Sequence, residues 1–208
     1  MNSTTQTFFS EPRLILSAMT YEAYRSLIDE LLRENKTTGS NQSEGMLNYT
    51  KMNVQRMNRI DKHWGLEQST LDLLHTIHKP MLWLVLTEAW CGDAAQNLPI
   101  IQKMAEVSEH IQLRMLLRDE HPALMDQFLT NGTRSIPKLI VVNPHTLEVI
   151  SSWGPRPEPA HQMVKDMKAQ GISHDEYAEA VHKWYAQDKG ITLQAEFREL
   201  IPAWQARL

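Results

Sequence analysis

The sequence predicts an α/β fold: a central mixed sheet sandwiched between helices, with helical extensions at both ends of the chain. Three observations carry that expectation. A continuous apolar run, MLWLVL, follows Pro80 and has the length of a strand buried on both faces. Strand-like and helix-like segments alternate downstream of it, and the last two strands are joined by a turn at Asn143-Pro144-His145. The chain has 208 residues, 42% hydrophobic and 22% charged, enough for one core plus embellishments.

Each element has its own warrant. Over 20–33, Tyr24, Leu27, Ile28, Leu31 and Leu32 recur as one face of a helix, and Thr20 is its N-cap. The polar stretch 35–44, rich in Thr, Ser, Asn and Gly, breaks that period and reads as a loop. A second helix is expected over 49–64, with Met52, Met57 and Ile60 loosely spaced, and a short one over 71–77. The strand 81–86 then feeds Cys91. A helix over 94–110 contains Pro99, which lacks an N–H and should kink it. IQLRMLL alternates like a strand, 122–129 reads as a short helix, and Asn131-Gly132 is its stop. KLIVV and TLEVISSW form the closing hairpin. Ser173 followed by Glu176 is a capping box that opens a helix through Trp184, and a last helix covers 193–200. There are no internal repeats and no low-complexity segment.

Composition narrows the function classes. A formal charge of -4 and the lack of a Lys/Arg cluster argue against nucleic acid and anionic membrane as partners. The first twenty residues lack a charged segment followed by a sustained apolar one, and the 81–86 run is far too short to span a bilayer, so a cytoplasmic protein is expected. A single cysteine excludes any intramolecular disulfide, which suits a reducing compartment. GxGxxG, Walker and HExxH patterns are absent, and no cofactor is implied. His75 and His78 are spaced to share a helix face, but two ligands do not make a metal site, so they read as surface or packing histidines and no metal is expected. The methionines, Met46, Met52, Met57 and Met81 among them, and the six tryptophans read first as core or groove packing.

Cys91 is the candidate nucleophile. At a helix N-terminus, unpaired N–H groups and the helix dipole favour a thiolate. Asp93, two residues on, opposes it unless its carboxylate points to solvent. Free cysteine is also among the most buried residue types, so position alone leaves a nucleophile and a packed small hydrophobe both open.

Trp90-Cys91-Gly92 after a buried strand, Pro99 eight residues past the cysteine, and 132–137 (GTRSIP) opening a later strand together resemble the thioredoxin superfamily. The resemblance covers about 66–159 and implies a thioredoxin-like sandwich. It further implies a cis Ile136-Pro137 bond against the active-site cysteine, with Gly154 lining the same groove. The implied site is therefore catalytic Cys91 with Trp90, Gly92, Asp93, Ile136, Pro137 and Gly154 around the substrate. EAWCGD, the N-terminal helical arm and WGPRP look like a bacterial branch of such proteins. The implied division is a helical N-terminal extension over 1–65, a thioredoxin-like domain over 66–160 and a helical C-terminal extension over 161–208 packed on that domain.

Two departures from the family pattern bear on chemistry. Ala94 stands where a CxxC motif has its resolving cysteine, and Val85 where relatives carry a buried acid. Without a second thiol, a mixed disulfide must wait for an external one. The expected function is thus monothiol thiol-disulfide exchange on a protein or low-molecular-weight thiol or disulfide, which calls for an exposed, acidified Cys91. The alternative is a redox-inactive module that keeps the groove for binding a peptide or protein. Disulfide-linked dimerisation through Cys91 is a third and weaker reading.

Overall fold

The computed structural model describes residues 12–208, and the leader-free reading of the first eleven residues lies outside it. Among the described residues the helices are α1 (Pro12–Ser17), α2 (Tyr21–Arg33), α3 (Glu44–His63), α4 (Gln68–His75), α5 (Gly92–Val107), α6 (Pro122–Met125), α7 (Glu158–Ala169), α8 (His174–Asp188) and α9 (Ile191–Arg207). The strands are β1 (Met81–Thr87), β2 (Ile111–Leu117), β3 (Lys138–Val142) and β4 (Val149–Trp153). They form one mixed sheet in the order β2-β1-β3-β4. β1 runs parallel to β2 and antiparallel to β3, and β3 and β4 make the hairpin. This is the α/β sandwich with helical extensions that the pattern predicts.

All seven residues of β1 are buried, so both faces of the sheet are covered at its centre. On one face Trp83 meets the edges of Phe197 and Trp204 of α9 at ring separations of 5.5 and 5.9 Å. Trp153 joins from β4, 5.4 Å from Phe197. Three of the six tryptophans therefore pack the core. The main apolar cluster runs without a break from Tyr24 and Ile28 through Met57 and Ile60 to Trp204. Val164, Val181 and Tyr185 form a second, smaller cluster where α7 and α8 pack on each other.

Local chemistry explains where elements begin. Thr20 accepts the Ala23 N–H and Ser173 forms its capping box with Glu176, as expected. α3 starts at Glu44, five residues before its expected start at 49, because Ser43 accepts the Met46 N–H. β4 starts at Val149 rather than 146: Asn143 Oδ1 accepts the His145 and Thr146 N–H groups at 2.9 and 3.1 Å, and Leu147 is left-handed at φ 59°, which holds 143–148 as a turn. α6 stops at Met125, four residues short of the expected end, and α9 extends to Arg207 across Pro202. α5 likewise continues past Pro99. α7, opened by Pro157 and Pro159, lies largely within the helical extension expected over 161–208, although the sequence marks no separate helix there. α4 ends at His75, so His78 lies beyond it, with Nδ1 beside the Thr76 carbonyl rather than on a shared helix face. Among the described residues no helix is long and apolar enough to cross a membrane.

Candidate functional site

β1 delivers the chain to Thr87, and a turn closed by the Cys91 N–H on the Glu88 carbonyl (3.1 Å) swings it into α5. Cys91 is the N-cap of that helix. Its Sγ accepts the Ala94 N–H at 3.4 Å and its thiol donates to the Ile136 carbonyl at 3.2 Å. The side chain is buried, with 8% exposure. Burial first, and the neighbouring Asp93 second, push the thiol up to about 12, with the Ala94 N–H and Arg156 pulling the other way. The exposed, acidified cysteine of the exchange reading is therefore corrected to a shielded, protonated one. Magnitudes decide the sign: a helix terminus contributes about 0.3–1 kcal/mol, up to about 2 kcal/mol when partly buried, whereas full desolvation shifts a group by as much as about 3–5 pK units.

Asp93 does not point to solvent. Its side chain is 12% exposed, paired with the Arg156 guanidinium and accepting the Tyr185 hydroxyl at 2.8 Å. Asn97 Nδ2 bridges the same cluster, donating to Tyr185 Oη at 2.9 Å and the Asp93 carbonyl at 2.8 Å. Burial raises the Asp93 carboxyl above its ordinary range, opposed first by Arg156 and then by Tyr185. An ion pair this deep stays put because each partner would be costly to leave alone.

Arg156 is aimed by the backbone before it. The Ile136–Pro137 and Gly154–Pro155 peptides are both cis. Gly154 adopts φ 112°, and a Cβ there would stand 2.3 Å from the Pro137 carbonyl oxygen, so only glycine allows these two stretches to meet. Ile136 and Pro137 are buried in this layer. Lys138 follows them, with Nζ bonded to Thr130 Oγ1 at 2.6 Å and to the Gly154 carbonyl at 3.1 Å, and burial pushes it down to about 8.

A pocket of about 240 Å³ opens on the other side of the thiol. Trp90, Cys91, Gly92, Asp93 and Arg156 line it, with Met46 and Tyr49 from α3, Lys168 from α7, and Tyr177 and His182 from α8. α8 rests directly on the chain here: a Cβ on Gly92 would stand 2.7 Å from His182 Cε1. Burial, followed by Arg56 and Arg156, pushes His182 down to about 4, so its ring is neutral. A larger recess, about 550 Å³, lies at the edge strand β2 and contains none of these groups.

The residues expected from sequence thus divide. Trp90, Cys91, Gly92 and Asp93 share the pocket, whereas Ile136, Pro137 and Gly154 form the packed backbone behind the thiol. Val85 is fully buried in β1, and Ala94 is buried in the first turn of α5. A buried acid is nonetheless present at Glu88, fully enclosed, with Oε1 accepting the Asp119 N–H at 2.9 Å. Arg156, Tyr185, His182 and Tyr49 went unmarked because only folding brings them to Cys91. Arg156 alone had a signal, in the WGPRP segment.

Residues 39–168 match a family profile described as Thioredoxin. No curated protein matches the chain in sequence. Among solved structures, the crystal structure of an HIV epitope-scaffold is similar at a TM-score of 0.54 and 15% identity, covering 84% of this chain and 96% of that one. A protein of unknown function from Pseudomonas aeruginosa is similar at a TM-score of 0.47 and 16% identity, covering 83% and 98% respectively. At 15% identity the likeness to the first of these is one of fold.

Proposed function

This chain belongs to the thioredoxin family, and from that premise we propose that it is a redox-silent binding protein, whose ligand enters the pocket between Cys91 and α8. One observation carries the reading: the Cys91 thiol is buried, donates to the Ile136 carbonyl and is pushed up to about 12. At neutral pH the protonated thiol then prevails over the thiolate that attacks disulfides. Ala94 supplies no second thiol, so the two parts of a dithiol mechanism are both missing. What remains is a shaped cavity with a neutral thiol in its wall. The single cysteine suits the reducing cytoplasm, where such a thiol stays unmodified.

A second reading, monothiol exchange resolved by an external thiol, is favoured by one feature. Cys91 caps α5 and lines the pocket, so a ligand that displaced α8 would uncover it at a helix N-terminus. Titrating the Cys91 thiolate and timing its reaction with a small mixed disulfide separates the two. An apparent pKa well above that of free cysteine, with negligible exchange, supports the binding protein. A pKa below about 8.5 with exchange as fast as a free thiol establishes the monothiol enzyme.

A further inference from the structure

We infer that the pocket beside Cys91 accepts a small organic anion, an apolar body carrying a carboxylate, an assignment that rests on the binding reading above. The charge inventory points there. Arg156 and Lys168 line the cavity, and Arg56 stands behind its floor, with Nη1 3.7 Å from where a Gly92 Cβ would be. Against these three cations stands one carboxylate, Asp93, whose two oxygens are already taken by Arg156 and the Tyr185 hydroxyl. The chain as a whole carries a formal charge of -4, so a positive pocket runs against its composition.

The cations also keep unused donors. Among the described residues Arg156 Nε is buried with no partner, and Arg56 donates only to Asn53 Oδ1, at 2.8 Å, and forms no ion pair. Lys168 Nζ lies over the Tyr177 ring at 5.1 Å and likewise has no carboxylate partner among the described residues. An anion would satisfy guanidinium donors that folding leaves free, with the first turn of α5 adding its positive end. Beside His174 and His182, the wall carries Met46, Tyr49, Trp90 and Val181, an apolar and aromatic surface that suits a hydrocarbon or ring rather than a bare inorganic ion. A volume of about 240 Å³ lies below the usual drug-sized range of about 300–1,000 Å³, so the occupant is small.

Benzoate and benzamide, which share a ring and differ in charge, test this on the full chain by calorimetry and by following the Gly92 amide resonance. Benzoate should bind at least about 10-fold more tightly than benzamide, with affinity falling as salt screens the site. Lys168→Gln, at an exposed position, should fold normally and weaken benzoate about 3–10-fold while leaving benzamide unchanged, and Arg56→Gln should do the same. Equal binding of the two probes, or no Gly92 shift with benzoate at tens of millimolar, would overturn the inference. Disulfide exchange by the wild type, with benzoate binding intact, would remove the redox-silent reading and leave the anion site standing.

Discussion

The sheet around Trp83 and the layer around Cys91 lie in one molecule and are joined by β1, yet different forces hold them. At Trp83 the neighbours are Phe197 and Trp204, all buried, meeting edge to face with hardly a polar group involved. Beyond β1 the half-buried Asp93 and Arg156 stand with the buried Tyr185 and Lys138, groups whose value depends on partners rather than on volume. An apolar core tolerates exchange of one hydrocarbon for another of similar size, while a buried polar layer fails when a single partner goes. The contrast separates a region held by packing from one held by paired polar groups.

The largest effect should come from emptying the core: Trp83→Ala leaves a cavity under α9 and is expected to lower unfolding free energy by about 3–5 kcal/mol in chemical denaturation. Arg156→Met should cost about 3 kcal/mol by stranding Asp93, and the loss should shrink when Asp93→Asn is added, a coupling that a double-mutant cycle reads directly. Comparable costs for the two single changes with no coupling would erase the distinction between the regions.

Gly92→Ala should cost about 1–3 kcal/mol, since its Cβ meets the His182 ring, and it should increase Cys91 labelling by forcing α8 away. The pH dependence sharpens the comparison further. The Cys91 thiol is raised in the folded state from its ordinary 9.0 to about 12, so the folded protein holds a proton that the unfolded chain releases. The stability this contributes is fully present below pH 9 and is lost as pH rises from 9 toward 12, at about 1.4 kcal/mol per pH unit. Cys91→Ala should show a shallower decline over that window by this slope. An identical decline in both proteins would mean that the thiol is not shielded. Lys168→Gln should leave stability within about 0.5 kcal/mol, because the side chain is exposed and forms no ion pair among the described residues.

Legibility follows the same division. β1 announces itself by an unbroken apolar run, and α2 and α8 by a helical stripe or capping residues, because these signals act over a few neighbours. α7 was invisible since its opening prolines also read as a loop. In the site, Cys91 was found from its junction, but Asp93 meets partners 63 and 92 residues away in Arg156 and Tyr185, a separation no local period records. Pro137 and Gly154 were identified through resemblance, and their tight mutual packing became visible only in three dimensions.

The sequence by itself determined the α/β sandwich, the station of Cys91 between a buried strand and a helix, and the lack of a second thiol at Ala94. Those are properties of chain order and of side-chain periods of 2 and 3.6 residues. Only the tertiary structure decided the state of the thiol and the sign of charge in its pocket. A protonation equilibrium sums solvent exclusion and every charge within a few ångströms, and here α8, Arg156 and Asp93 converge from distant parts of the chain to set it.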